Sequence, residues 1–478
     1  MKSRSFALLI LGMLWMGSPA GAASATSRMD AVSKFEAEEA LQGVPISKEI
    51  WSQWATESAA WHRSRLRAAY ERAGIKNPKW NEPMRALLDQ VGNLRGGSEL
   101  ADPKKVEKLV RQIQPLDCTD PLFRYFLIRY GELPMRQEEV IPALSAASQA
   151  LRDSDYDPLE KFWATYRTAS QIRGESRSKM PPEAIALYRT AVDLLAKAFG
   201  NRELPPSEVM TTSEEILIAL KFNQSEYRAA WDKLIPLMTR HWSKSPQVLL
   251  TIGWGHLDRA WMARGGGYAD KVTKDGWKGF SAEMDQAEVF LTNSWTLGAL
   301  GGTARQMMRL ELGQGEGRER MDLWFERAMD YDPSDYEACT DKLWYLMPRW
   351  YGDHAEMLKF GRRCLTHPRW KGQVPLALMR ARELIAADYP VEDQTSYWQK
   401  KGVWSDVRSS FERFFELNPK NISWRHNYAL FAWRAQDWDE LNRQIPLLGE
   451  INYSYFGGQE TYDRMVAEAK AREGTGPK

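Results

Sequence analysis

Apolar residues along this chain recur every three or four positions, and almost no stretch alternates with period two. That pattern predicts amphipathic helices throughout and an all-α fold. Residues 47–73 read as one long helix whose apolar side carries Trp51, Trp54, Trp61, Leu66 and Tyr70, with Ser58 as a small residue inside the stripe. Further helices are predicted over 121–130, 137–152, 158–172 and 182–199. A break containing Gly, Ser and Pro is expected at 93–104, a charged linker at 173–181 and a second break at 200–206. From Ser207 onward the helices pair more regularly. Thr303 followed by Gln306 predicts a capping box at the start of one first helix, and Asp353 followed by Glu356 resembles one at the start of a second helix. After Pro419 a hairpin is written out clearly. Trp424, Tyr428, Phe431, Ala432 and Ala435 share a face of its first helix, Gln436 and Asp437 make the turn, and Trp438, Leu441, Ile445 and Leu448 form the facing stripe. Pro446 should kink or end that second helix early.

Three times in the last third of the chain an aromatic residue is followed eight positions later by proline: Phe325 to Pro333, Phe360 to Pro368 and Phe411 to Pro419. The aromatic packs on the inner face of a second helix, and the proline stops that helix because it lacks an N–H and pushes the preceding residue out of helical geometry. The first two prolines are 35 residues apart, and 34 residues before Pro333 stands Ala299, closing a degenerate copy with Leu291 in the aromatic place. A fixed period of this size predicts an array of helical repeats.

The segment Leu323-Trp-Phe-Glu-Arg-Ala-Met-Asp-Tyr-Asp-Pro333 resembles the closing half of a tetratricopeptide repeat, with Phe325 as the aromatic, Ala328 as the small residue that admits the next helix, and Pro333 as the terminator. More narrowly, Ala260-Trp-Met-Ala-Arg-Gly-Gly-Gly-Tyr-Ala269, Gly276-Trp-Lys-Gly-Phe280 and Pro348-Arg-Trp-Tyr-Gly352 resemble an exported bacterial family of tetratricopeptide-like proteins of unassigned function. The likeness runs from about Thr251 to Leu448, under half of the chain. It implies an irregular α-solenoid of tetratricopeptide-like antiparallel hairpins and an exported compartment, and it implies no chemistry. The departures from the pattern predict the irregularity: Ala299 replaces a terminal proline, Phe414 stands where a small residue is usual, and 51 residues separate Pro368 from Pro419.

Residues 1–22 read as a secretory signal, with Lys2 and Arg4 as the positive start, 6–16 as the short apolar stretch and Ala20-Gly21-Ala22 as the cleavage site. The apolar stretch is too short to span a bilayer, and no later segment reaches the ~18–20 uninterrupted apolar residues that spanning needs. Loss of Lys2 and Arg4 from 65 basic residues leaves 63 against 63 acidic ones, so nucleic-acid binding loses its electrostatic drive. Three cysteines make no disulfide framework. Cys339, early in one helix, and Cys364, late in its hairpin partner, lie at ends that meet, which permits one bridge in an oxidising compartment or leaves two buried thiols. Cys118 has no evident partner.

None of the six histidines has metal-ligand spacing, and there is no GxSxG elbow, P-loop or dinucleotide fingerprint, so the sequence assigns no catalytic residue, metal or cofactor. Arg264-Gly-Gly-Gly267 follows a helix, whereas a phosphate cradle follows a strand, so a C-cap and hinge is the better account. Leu250, Trp254, Leu257 and Trp261 form a core stripe on the preceding helix, with His256 and Arg259 on another face. About a dozen residues, 264–275, then separate it from the next helix, and a long ordered loop in a compact array is a place for function. Arg264, Tyr268 and Trp277 are therefore one set of candidate ligand contacts, weighed against a role pinning the loop to its own hairpin. Arg349, Trp350 and Tyr351 are a second set, where a cation beside two large rings suits a sugar or a peptide side chain, or seals the hairpin edge. The chain holds 21 tryptophans, and many fit helix faces as core.

The expected organisation is a signal at 1–22, an N-terminal helical region at 23–180, hairpins at 181–250 leading into repeats at 251–450, and a C-terminal helix and tail at 451–478. The leading functional expectation is a scaffold that binds a protein or peptide along an extended concave face. Its competitor is an exported helical enzyme or binding protein acting on polysaccharide, built as an α/α toroid with two carboxylates flanking a glycosidic bond. A weaker third reading gives the activity to the helices before about residue 180, where no motif supports it. The intact mass of the protein recovered from its own source is expected to show loss of residues 1–22; a mass that retains Met1 would remove the export reading.

Overall fold

The structure, a computed structural model, describes residues 48–98, 100–131, 136–174, 180–200 and 204–472, with the backbone alone for 48–54 and 137. The expected signal over 1–22, the faces of Trp51 and Trp54, and the tail beyond Arg472 lie outside the described residues and side chains. Among the described residues there are 21 α-helices and no strand, and adjacent helices pack in pairs. The all-α helical-repeat fold read from the periodicity is the fold observed. The chain divides into two compact bodies, one of residues 41–264 with 277–300, the other containing 265–276 and 301–478.

The first body opens with α1 (Lys48–Ala73), α2 (Asn81–Arg95), α3 (Pro103–Ile113), α4 (Pro121–Tyr130) and α5 (Gln137–Arg152). It continues with α6 (Pro158–Arg173), α7 (Pro182–Phe199), α8 (Pro206–Leu220), α9 (Gln224–Trp242) and α10 (Pro246–Arg264), and takes in most of α11 (Lys274–Leu297). Asp102, Asp120 and Asp157 each cap a helix that begins with proline, so an acceptor meets the free N–H groups while the proline spends none. One apolar cluster, with Leu66, Tyr70, Met84, Val110 and Phe123 fully or almost fully buried, gathers α1 to α5. A second, with Phe162, Tyr188, Leu195, Trp231 and Ile252, gathers α6 to α10. The break expected at 93–104 is shorter than the composition suggested: α2 continues to Arg95 with Gly92 and Asn93 buried, because Gly92 lies against the Arg63 backbone, where a Cβ would stand 2.7 Å from its nitrogen.

In the second body, α12 (Gly301–Gln314) pairs with α13 (Arg318–Tyr331), and α14 (Tyr336–Tyr345) with α15 (His354–Thr366). Then come α16 (Ala377–Ala386), α17 (Val391–Gln399) and α18 (Lys401–Leu417), followed by the pair α19 (Ser423–Ala435) and α20 (Trp438–Gln444), and last α21 (Gln459–Ala471). Helices α13, α15 and α18 end at Tyr331, Thr366 and Leu417, so Pro333, Pro368 and Pro419 each stand two residues past a helix. The long interval between the last two prolines has a simple cause: α17 is an extra short helix inserted between α16 and α18, which still pack on each other. Asp353 caps α15 through the Glu356 N–H at 2.8 Å, and Gln436, with φ +57°, and Asp437 turn α19 into α20 as expected. Pro446 falls in a 3₁₀ turn that follows directly on the end of α20 at Gln444. Thr303, expected to open the helix as its cap, instead lies inside it and is buried, because α12 already begins at Gly301.

Phe325, Phe360 and Phe411 are all buried. Phe325 meets the rings of Phe360 and Trp370 edge-on, at centroid separations of 5.1 and 5.6 Å, so one side chain joins α13 to the following hairpin. Ala328 is buried beside it. Gly361 on α15 performs the small-residue role in the next pair, since a Cβ there would lie 2.8 Å from the Leu378 Cα on α16. Replacing Phe325 with Ala is expected to destabilise by about 3–5 kcal/mol in chemical denaturation, the loss for an aromatic removed from a sealed core. A loss within about 0.5 kcal/mol would contradict the packing described.

Candidate functional site

The two sets of residues singled out in the sequence fall at different depths. Arg264, at the end of α10, is only 4% exposed; its guanidinium lies over Trp261 and Trp277 at 5.9 and 5.4 Å, and burial lowers its pKa. Trp277 meets Phe280 edge-on at 5.7 Å. Arg264 and Trp277 therefore come together as a cation–π contact that fastens α10 to α11. Gly265, with φ +75°, stands just past α10 in the left-handed conformation of a helix C-cap. Tyr268 is exposed in the connection that follows, which contains a 3₁₀ turn at Ala269–Lys271.

The second set also packs against its neighbours. Trp350 is buried, and Tyr351 lies on Tyr345 at 4.7 Å, donates to the Leu312 carbonyl at 3.3 Å and fills the space beside Gly315. Arg349 lies over Trp344 at 4.6 Å, and its Nε is shut from solvent without a hydrogen bond. The trio closes the turn between α14 and α15. Cys339 and Cys364 are brought together, as expected, as buried free thiols, and Cys118 is a third. Burial pushes the Cys339 thiol well up, with Cys364 beside it adding to the effect.

His256 and Arg259, placed on a separate face of α10, converge on one carboxylate. His256 Nδ1 lies 2.6 Å and Arg259 Nε 2.9 Å from Glu283, and the imidazole stacks on Phe290 at 5.4 Å. Burial raises the Glu283 pKa, but these two partners outweigh it and the net shift is downward. This is a satisfied, partly buried network.

A set of polar residues that sequence reasoning missed runs across the first helices of successive hairpins in the second body. On α12, Ala304, Met307 and Met308 face the core while Arg305 and Arg309, four residues apart, keep partial access to solvent. On α14, Ala338, Cys339 and Leu343 are buried and Glu337 and Asp341, again four apart, remain partly accessible. On α16, Leu378, Ala381 and Leu384 are buried and Arg380 and Glu383 are not.

These groups interact from helix to helix. Arg305 Nη2 donates to Glu337 at 2.5 Å and its Nε lies 3.7 Å from Asp335, the residue that caps α14. Burial works against the Arg305 charge, but Asp335, Asp341 and Glu337 together raise its pKa. Arg380 donates to Glu383 at 3.0 Å, and Glu383 in turn acts on Tyr336 of α14 and Arg434 of α19. Asp341 is the exceptional member. Its Oδ2 is closed to solvent and makes no hydrogen bond, and burial pushes its pKa up to about 6 although Arg305 and Arg309 pull the other way.

The signal in the sequence was the four-residue spacing of like charges, Arg305 with Arg309 and Glu337 with Asp341. On single helices those pairs read as solvated faces; only the stacking of α12 on α14 turns them into one strip. Among the described residues no group of three or more His, Cys, Asp or Glu side chains is arranged to hold a metal ion. No helix among them is long and apolar enough to cross a membrane. Compared with known proteins, the chain matches no family model and no curated protein sequence.

The Asp341 shift has a definite sign. A carboxyl whose folded pKa is raised contributes stability that is complete below the unfolded value near 4 and is lost as pH rises through about 6. Asp341→Asn is therefore expected to flatten the fall in stability between pH 4 and 6 and to stabilise the protein at pH 7.5 by about 1–2 kcal/mol, less than the full shift because the residue keeps some solvent contact. Denaturation across that pH range reads the effect, and a variant less stable than the parent at pH 7.5 would contradict the assignment.

Proposed function

We propose that this protein is an exported, tetratricopeptide-like helical-repeat scaffold that binds a segment of a partner protein along the first-helix strip of residues 301–472. The observation that carries the reading is the set of polar residues on successive first helices, Arg305, then Glu337 and Asp341, then Arg380 and Glu383, in which Asp341 Oδ2 is withdrawn from water and left without a donor. A buried acceptor without a donor costs free energy unless an arriving group supplies one. An extended peptide does so with its own N–H groups, and its charged side chains pair with the alternating Arg305, Glu337, Arg380 and Glu383. Aromatic residues 350 and 351, which were candidates for stacking on a ligand, instead support the turn beside the strip. Export rests on the signal-like residues 1–22, whose Lys2, Arg4 and small-residue cleavage site motivate it.

A display library of random peptides panned against residues 23–478 tests the proposal. It is expected to enrich a mixed-charge peptide family whose affinity falls at least tenfold with Arg305→Gln and with Glu383→Gln, about the loss of one charge-assisted hydrogen bond at each site. Enrichment indifferent to both substitutions would move the site elsewhere. Turnover of a polysaccharide with no peptide enriched would replace the scaffold reading with the enzyme.

A further inference from the structure

In the other body, α5, α6 and α7 enclose a cleft of about 400 Å³ lined by Ser145, Gln149, Arg152, Glu183, Ala186 and Leu187, among others. Among the described residues, no carboxylate stands within ion-pair distance of Arg152. Its guanidinium donates only to neutral oxygens: Ser148 Oγ at 2.8 Å, Thr165 Oγ1 at 3.2 Å and Gln149 Oε1 at 2.6 Å. A guanidinium has five N–H groups, so two remain uncommitted. The adjacent Asp153 carboxylate accepts instead from Gln149 Nε2 at 2.8 Å. Close by, Ser145 Oγ is shut from solvent and makes no hydrogen bond. A partly buried cation with spare donors, beside an unpartnered hydroxyl, is the complement of a carboxylate.

The same cleft carries one anion. Glu183, in the first turn of α7, is exposed and has no ion-pair or hydrogen-bond partner among the described residues. It disfavours a simple anion on Arg152 and favours a ligand that brings a positive charge with its carboxylate. The rest of the lining is Ala146, Ala186, Leu187 and Thr168, whose hydroxyl already donates to the Ala164 carbonyl at 2.8 Å and so leaves its methyl group for the cleft. The volume lies at the small end of the range of about 300–1,000 Å³ for ligand sites. From these features we infer that the cleft binds an α-amino acid, its carboxylate on Arg152 and Ser145, its ammonium group toward Glu183 and a small apolar side chain against Leu187. The inference is independent of the peptide strip, because it uses none of the same residues.

Calorimetric titration of the whole chain at pH 7.5 tests it, with L-leucine as probe. Saturable one-to-one binding is expected. Leucinamide, which lacks the carboxylate, and 4-methylpentanoate, which lacks the amine, are each expected to bind at least tenfold more weakly. The dipeptide leucyl-leucine separates a free amino acid from a peptide end: binding equal to that of leucine assigns the site to peptide termini and overturns the single-amino-acid ligand. Arg152→Gln is expected to abolish binding. Because Arg152 also ties α5 to α6 through Thr165, two milder variants keep the test decisive if that chain fails to fold. Ser145→Ala is expected to weaken leucine about threefold to tenfold, and Glu183→Gln to erase its advantage over 4-methylpentanoate. Absence of saturable heat with leucine, or a leucine preference that survives Glu183→Gln, would overturn the inference.

Discussion

No helix pair in residues 301–472 covers its own apolar surface, and that shortage is the constraint on which the rest depends. Phe325 is the clearest case: its ring leaves α13 and is enclosed by Phe360 on α15 and by Trp370 beyond it. The aromatic knob makes each pair adhere to the next, and the glycine at 361 lets α16 come close enough for the contact to be dry. Once second helices and the inner sides of first helices are committed to that core, the outward stripe of each first helix is what remains. Arg305, Glu337, Asp341, Arg380 and Glu383 occupy it. The strip is thus a by-product of stacking in its geometry, although its chemistry is a matter of residue choice.

Burial of charge follows two patterns. Where a charge serves the fold, it is paired. Arg320 and Glu311 meet at 2.8 Å in the interior of the α12–α13 pair. In the other body Glu160 accepts from Arg65 at 2.9 Å and from Arg95 at 2.7 Å, while Glu208 lies between His62 at 3.2 Å and Trp163 Nε1 at 3.0 Å. These pairs offset the desolvation of each ion, and removing one partner would leave the other stranded. Asp341 and Arg152 do not follow this pattern. Each is drawn partly out of water, one with an oxygen lacking a donor and the other without a carboxylate. Glu214, which burial pushes up to about 7 beside Glu215, is a further departure, so Asp341 and Arg152 are set apart by the polar strip and the cleft in which they stand.

Local chemistry made much of the helix map legible. Proline at the start of α4, α6 and α7 and an aspartate before α4 and α6 are instructions read within one turn, and the predicted limits 121–130, 137–152 and 182–199 agree with the helices found. Failures came where a distant segment overruled composition. Asn93 looked like the start of a break, yet α2 runs on through it to Arg95, just past the point where Gly92 touches the Arg63 backbone; Thr303 looked like a cap, yet Gly301 is helical ahead of it, with Tyr331 packed against that glycine. Arg264 and Trp350 looked available to a ligand because sequence shows residue type and not depth; both are nearly inaccessible.

The sequence by itself determined the helices, their caps and stops, and the repetition that makes pairs stack, because each of these depends on residues within about one turn or on a fixed period along the chain. Tertiary structure alone decided which charged residues meet. Arg305 and Glu337 are 32 positions apart, and Arg152 and Glu183 come to one cleft from different helices. Electrostatics depends on separation in space and on access to water, and neither quantity exists until the hairpins have packed.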